Sequence, residues 1–341
     1  MNVRENNYAV RAILPDGSVL DLTLALVRLS WQDPAEEVAQ RASILLAQVK
    51  TERGWLNQLL PLCTAVQILA NGAQVFSGIV WDWEYASANS RVIALTCYDP
   101  FIYAQHSKTF AYFPPGKSTE DIFARICGEN GIPCKYQWQS ATHDKLVFRG
   151  NCIADQLLDT LEEARRRLGQ RYVVCFVDGV LTVQGEGANK DVYVFKATES
   201  AIHTAERMSM DGLVTQVAVY GAEDQEDRRQ LEAVIPGRTE YGTLQQVVLL
   251  SASSKLSDAK KDAQGILAEN GAPKHTITAK TPDVPCIRKG WRVKMEAGSL
   301  LGYYIVKGGT HNATDRTMVM ELQLPQTQKR GRMCERTGQS Q

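Results

Sequence analysis

The sequence predicts a mainly β chain interrupted by an α+β insert. Turn dipeptides break alternating apolar runs over about the first hundred residues, the periodicity turns helical from about residue 114, and short apolar strands return after about residue 211.

Tyr8 to Leu14 and Val19 to Leu24 flank Asp16-Gly17, and Ala65 to Ala70 and Gln74 to Trp83 flank Asn71-Gly72; both are hairpin patterns. Arg91 to Tyr98 supplies the next strand, so the region reads as a half-barrel or sandwich. Asp33-Pro34 before Glu36-Glu37 predicts a helix start, with Asp as N-cap and Pro in the first turn, running to about Gln40. Ala42 to Val49 either extends that helix or forms a strand. Strand alternation sets Trp81, Trp83 and Tyr85 on one face and Asp82 and Glu84 on the other, the pattern of a strand that buries its aromatics.

In the insert, Ser118 caps a helix that carries Ile122, Phe123 and Ile126 on one face and ends at Gly131-Ile132-Pro133. A second helix spans Ile153 to Leu168, with Ile153, Leu157, Leu158, Leu161 and Leu168 inward and Arg165-Arg166-Arg167 in the last turn. Asp178-Gly179 turns a hairpin between Arg171 to Val177 and Val180 to Gln184. Strands follow at Val214 to Val219 and Leu244 to Leu250, with the solvated charged stretch 223–229 between them. A helix runs from Ser257 to Asn270, and strands resume at Ile277 to Lys280, Trp291 to Met295, Tyr303 to Val306 and Met318 to Leu324. The expected division is a β domain over 1–111, an α+β module over 112–210, a second β domain over 211–325 and a flexible polar tail over 326–341.

The chain has 341 residues, with 38 Lys and Arg against 38 Asp and Glu. It projects no field of one sign, which argues against nucleic-acid specificity or binding to anionic lipid. The eight cysteines lack CxxC spacing and read as reduced, mostly buried thiols of a protein made in the cytoplasm. The polar N-terminus carries no export signal, and the apolar runs are too short to span a membrane.

Gly116-Lys117-Ser118 imitates the end of a phosphate loop, but Ala111 stands where the first glycine belongs and Pro114 and Pro115 lack two of the needed N–H donors. The five histidines form no HExxH or HxH pair, and no GxSxG elbow nominates a nucleophile. Asp82 and Glu84 are the best acid pair for glycoside chemistry, and alternation assigns them to a structural strand instead. No catalytic, cofactor-binding or metal-binding residue is nominated, and no cofactor is expected.

An ordered series of segments carries a resemblance. Ser30-Trp31, Ala73 to Val80, Lys117 to Ile122, Gly131-Ile132-Pro133, Tyr241 to Gln245, Asp283 to Val293, Leu301 to Val306, His311 and Met318 to Leu322 are similar to the XkdQ/YqbQ-like tail proteins of PBSX-type prophages, contractile-tail baseplate hubs. Trp291 departs from that family, which commonly has an acidic residue after the glycine. The resemblance implies two related β-barrel tube domains with the α+β module between them, in a homotrimer whose six barrels form a pseudo-sixfold ring. It implies a structural baseplate hub, not an enzyme, that joins a sixfold tail tube to a threefold spike. The implied partners are the tail tube protein, the central spike protein and other baseplate proteins, and the implied location is the baseplate of a virion or tail-like particle. The competing classes are a tail-associated cell-wall hydrolase and a glycan-binding tail module. If the barrels are related, Val75, Ile79, Val293 and Ile305 lie in barrel cores; if the two β regions form one continuous sheet, the symmetry adapter loses its structural basis.

Overall fold

The computed structural model of the chain describes residues 6–86, 91–197, 203–223, 228–250 and 256–326. The first β region comprises β1 (Tyr8–Ile13), β2 (Val19–Asp21), β3 (Leu26–Asp33), β4 (Arg41–Ala47), the two-residue β5 (Lys50–Thr51) and β6 (Gly54–Trp55), the one-turn helix α1 (Leu56–Leu59), β7 (Ala65–Ala70), β8 (Ala73–Ala86) and β9 (Val92–Tyr98). Its strands bond in the order β3-β4-β9-β8-β7-β1-β2 around a core that includes Val10, Trp31, Ile44, Ile68, Phe76 and Ile93. Asn71 and Gly72 both take positive φ, 53° and 82°, as the tight turn between β7 and β8 requires.

Two bulges in β8 change which side chains face inward. Ile68 pairs with Phe76 and Leu69 with Gln74, so Val75 is the extra residue; Val75 and Phe76 are both buried, Val80 follows them, and Ile79 is only half-buried. The expectation that Ile79 lies in the core fails for this reason, whereas Val75, Val293 and Ile305 are buried as expected. Val80 then pairs with Cys97 and Asp82 with Thr96, making Trp81 the second extra residue. Trp83 and Tyr85 stay opposite Leu95 and Ile93, while Trp81 stands apart from them at the bulge. The three aromatics therefore do not share one buried face: Trp81 and Trp83 are 37% and 36% exposed.

Residues 34–40 form bends and no helix. The Asp33 carboxylate accepts from the Gln40 side chain instead of capping helical N–H groups, and the Lys289 ammonium takes the carbonyls of Pro34, Ala35 and Glu37 that a first turn would use. The apolar run after them is the strand β4.

The α+β module contains α2 (Ile102–His106), β10 (Lys108–Phe113), α3 (Thr119–Glu129), β11 (Cys134–Gln137), β12 (Leu146–Cys152), α4 (Ile153–Leu168), β13 (Tyr172–Val177) and β14 (Val180–Gly185). The Ser118 hydroxyl accepts from the Asp121 N–H at 3.1 Å and starts α3. Gly169, at φ 65°, closes α4, and the three arginines of its last turn suit the negative helix end. Ile122, Phe123, Ile126, Leu157, Leu161, Val174, Phe176 and Leu181 share the module's core.

The remaining elements are β15 (Val194–Lys196), β16 (His203–Ser209), β17 (Gln216–Glu223), β18 (Arg229–Pro236), β19 (Gln245–Leu249), α5 (Leu256–Asn270), β20 (Lys274–Pro282), β21 (Arg292–Ala297), β22 (Leu300–Asn312) and β23 (Thr317–Gln323). The chain divides into one compact unit of Met1–Thr204 with Thr278–Gln341 and a second of Ala205–Ile277. In the second unit, β18-β17-β19 form a sheet whose Val217 and Val219 pack with Ala259 and Ala263 of α5. The expected 211–325 region is thus cut at 277, because α5 covers a sheet and core of its own. In the first unit, β23-β22 continue directly into β3, where Trp31 pairs with His311 and Asp33 with Gly309. The N-terminal and C-terminal strands therefore form one continuous sheet, the arrangement that removes strand order as a basis for two separate barrels. The charged residues 224–227 and the tail residues 327–341 lie outside the described residues, and Gln326, expected to begin the tail, is bonded to the backbone of Gly169 and Arg171.

A Cβ at Gly78 would lie 2.3 Å from the Tyr98 carbonyl oxygen and 2.6 Å from the Phe76 ring. Gly78→Ala is expected to lower the unfolding free energy by about 1–3 kcal/mol through overpacking, measured by urea denaturation; unchanged stability would show that β8 and β9 are not this close.

Candidate functional site

A cluster of buried polar groups lies on the seam between β1, β3 and the C-terminal strands, all within the first unit. Asp283 is fully buried; its Oδ1 lies 2.6 Å from His311 Nδ1, and its Oδ2 accepts from the Tyr8 hydroxyl. The Asn6 amide donates to the Asp283 carbonyl at 2.8 Å, and the Asn71 amide donates to Asn6. The His311 ring stacks on Trp31, with centroids 3.7 Å apart and planes 6° from parallel. The Arg288 guanidinium covers Trp31 at 4.5 Å, donates to the Val75 carbonyl and lies 3.7 Å from an Asp33 oxygen. Beyond it, Gln40 donates its side chain to Asp33 and its backbone N–H to Asp99, whose other oxygen accepts from the Phe101 N–H.

Burial sets the electrostatics of the seam. It is the main force that raises the Tyr8 phenol, followed by the neighbouring Asp283 charge, and it pushes the Asp99 carboxyl up to about 7 against two backbone N–H groups that pull it down. Burial likewise lowers the Lys289 ammonium, opposed by Asp33. Asp283 stands between Tyr8 and His311, so the imidazole does not bridge hydroxyl and carboxylate as a relay to a nucleophile requires, and His311 is 2% exposed with its face against an indole. A substrate has no access to it, and the chemistry available is cohesion.

The seam collects residues that the sequence holds far apart. Trp31, Val75, Arg288, Lys289 and His311, scattered through the ordered series of segments, meet here, and Gly290, at φ 85°, brings the turn so close to β13 that a Cβ would sit 2.5 Å from Val173. Trp291, the departure from the series, stacks on Tyr193 with centroids 6.4 Å apart. Sequence reasoning missed Tyr8, Asp33, Gln40, Asp99 and Asp283 as members of one cluster; Gln40 lies just before β4, and Asp99 and Asp283 lie just past the ends of β9 and β20, where a polar residue is ordinary, so the local sequence carries no signal for them.

The sequence-derived alternatives fall elsewhere. Gly116 and Thr119 donate their N–H groups to the carbonyls of His143 and Ala141, so this backbone is committed to the cap and its neighbouring chain. Asp82 and Glu84 are exposed on β8. Trp81 stacks on His106 at 5.4 Å and meets Tyr98 and Tyr103 edge-on. Among the described residues, no group of three or more His, Cys, Asp or Glu is placed to hold a metal ion, and no helix is long and apolar enough to cross a membrane. Of the cysteines, Cys97 and Cys127 are buried, Cys63 and Cys286 are exposed, and Cys134, Cys152 and Cys175 lie between.

A family model described as YQBQ-like matches residues 31–325. The fold is similar to that of the 43 kDa tail protein of prophage MuSo2 from Shewanella oneidensis, with TM-score 0.67 and 11% identity over 94% of this chain and 99% of that one. A tail protein from Neisseria meningitidis MC58 is similar at TM-score 0.65 and 15% identity, over 93% and 96% of the two chains. The E. coli c3393 protein, a type VI secretion component described as structurally similar to the T4 bacteriophage tail proteins gp27 and gp5, is similar at TM-score 0.50 and 8% identity over 89% and 74%. No curated protein matches in sequence. The mainly β architecture is that of phage-tail folds.

Asp283→Ala leaves His311 and Tyr8 without their shared acceptor, so denaturant unfolding should show a loss of about 3–5 kcal/mol; a loss below about 1 kcal/mol would mean the seam is not cohesive. For Asp99, a folded value of about 7 lies above the ordinary 3.8. The folded state therefore holds the proton more tightly, and stability present below about pH 4 is lost as pH rises through about 7. The Tm of Asp99→Asn relative to the unaltered protein is expected to rise between pH 5 and pH 8, and a constant difference would refute this.

Proposed function

We propose a structural role in the baseplate of a contractile phage tail or tail-derived particle for this chain, which belongs to the YQBQ-like family. The single observation that carries the proposal is likeness along nearly the whole of both chains to a prophage tail protein, 94% of this one and 99% of the other. The finer reading is a homotrimeric hub that contacts the tail tube protein, the central spike protein and other baseplate proteins. Family membership and the shared fold support it; strand order does not supply the two separate barrels that a pseudo-sixfold ring was expected to need.

Two local features favour assembly through strand edges. β2 ends the hydrogen-bonded path, leaving a short edge for another chain. Val19 on β2, Leu24 in the turn after it and Val27 at the start of β3 are 61%, 103% and 47% exposed. Equal numbers of acidic and basic residues keep self-repulsion low. A glycan-binding module is favoured by one observation, the exposure of Trp81 and Trp83, and a glycan screen with Trp83→Ala tests it.

Electron microscopy of the assembled particle is expected to place three copies in a ring at the junction of tube and spike, with about 2,000–5,000 Å² buried in total at each obligate interface. Six copies there, or a threefold particle without contacts through the β regions, would overturn the hub. A peptidoglycan zymogram is expected to stay uncleared, and clearing would move the protein to the hydrolase class.

A further inference from the structure

Two exposed aromatic surfaces of the first unit carry opposite charge. β10 and β12 form a two-stranded sheet of their own, and Phe113 and Phe148 on its inner side belong to the module's core. On the outer side Phe110 pairs with Arg149 and Tyr112 with Val147, and all four are exposed, Phe110 by 78%. They line an open groove of about 380 Å³. Lys108 and Lys145 are exposed on the same ribbon, and residues 108–113 and 145–152 contain no carboxylate. The counterpart is the face of β8 that carries Asp82 and Glu84. These acids lie opposite Thr96 and Ala94 of β9, which offer no cation. Trp81, the extra residue of the bulge, packs edge-on against Tyr98, two residues beyond Thr96 and so on the same face. Tyr103 and His106 also pack against Trp81, and the Trp81 and Tyr103 rings stay exposed. Among the described residues, Asp82, Glu84, Lys108, Lys145 and Arg149 enter no ion pair within the chain.

Although 38 acidic and 38 basic residues cancel over the whole chain, each surface holds charge of one sign around exposed rings. The rings gain from leaving water, whereas the flanking charges must keep water or meet the opposite sign. A second copy of the chain supplies that sign. We infer that Trp81, Asp82 and Glu84 of one copy dock on the β10–β12 ribbon of another, with Trp81 against Phe110 and Tyr112 and the two acids beside Lys108, Lys145 and Arg149. Trp, Tyr and Arg are the side chains that dominate the energetics of such contacts. Unlike surfaces meet, so the contact is head-to-tail, the kind that closes a ring. This contact rests on the homotrimer proposed above, whose copies it joins.

Sedimentation equilibrium of the full-length protein, over a range of concentrations and at low and raised salt, tests the contact. The unaltered chain is expected to associate into three copies, and salt to weaken the association by screening exposed charges. Lys108→Glu with Arg149→Glu, and separately Asp82→Lys with Glu84→Lys, are each expected to raise the dissociation constant about tenfold or more. All four reversals in one chain are expected to restore it. The four positions are exposed, so each variant keeps the far-UV circular dichroism and the Tm of the unaltered protein. An unaltered chain that stays monomeric at every concentration overturns the contact. So does association that ignores both pairs of reversals, or that the fourfold variant fails to recover. The hub stands or falls separately, on the number of copies found in the particle.

Discussion

Arg288 and Lys289 carry two positive charges into a region with little water, and each needs acceptors there. Arg288 finds the Trp31 face, the Val75 carbonyl and Asp33; Lys289 finds three carbonyls of the segment 34–37. These partners all belong to the first hundred or so residues, so the C-terminal chain must return to the N-terminal strands for the charges to be satisfied. The β3–β22 pairing and the Tyr8–Asp283 contact lie across that return. The same contacts suppress the local helix that Asp33-Pro34 would otherwise start.

Close approach does the rest of the positioning. Gly290 lets the cationic turn meet Val173 on β13, and Gly187 donates its N–H to the Gly290 carbonyl at 2.8 Å. One turn thereby touches the N-terminal strands, the C-terminal strands and the α+β module. Such a junction ties the three regions together, since removing one member of a buried hydrogen-bonded network exposes the desolvation cost of the others.

Elements whose signal is local were legible in the residues. Asn71-Gly72 and Asp178-Gly179 adopt the left-handed conformations their hairpins need, and Ser118 caps α3. Helix α4 spans Ile153–Leu168 as its periodicity predicts, and α5 ends at Asn270 as expected. The errors occurred where distant groups compete with local ones. Lys289 takes the carbonyls near Pro34, and bulges at Val75 and Trp81 shift the inward phase of β8, sending Ile79 and Trp81 where simple alternation does not.

The amino-acid sequence by itself determined the mainly β class, the turns, the helices of the insert and, through an ordered series of weakly specific segments, the family. These depend on backbone preferences and on burial patterns a few residues long, which each segment carries with it. Only the tertiary structure decided that Trp31, Asp33, Arg288 and His311 meet, that residues 205–277 form a unit of their own, and that the N-terminal and C-terminal strands share one sheet. The physical reason is that a buried charge or unpaired edge can be satisfied by any suitable acceptor or strand in the chain. Which one is chosen depends on packing the whole molecule at once, over separations such as the 278 positions between Thr310 and Gln32.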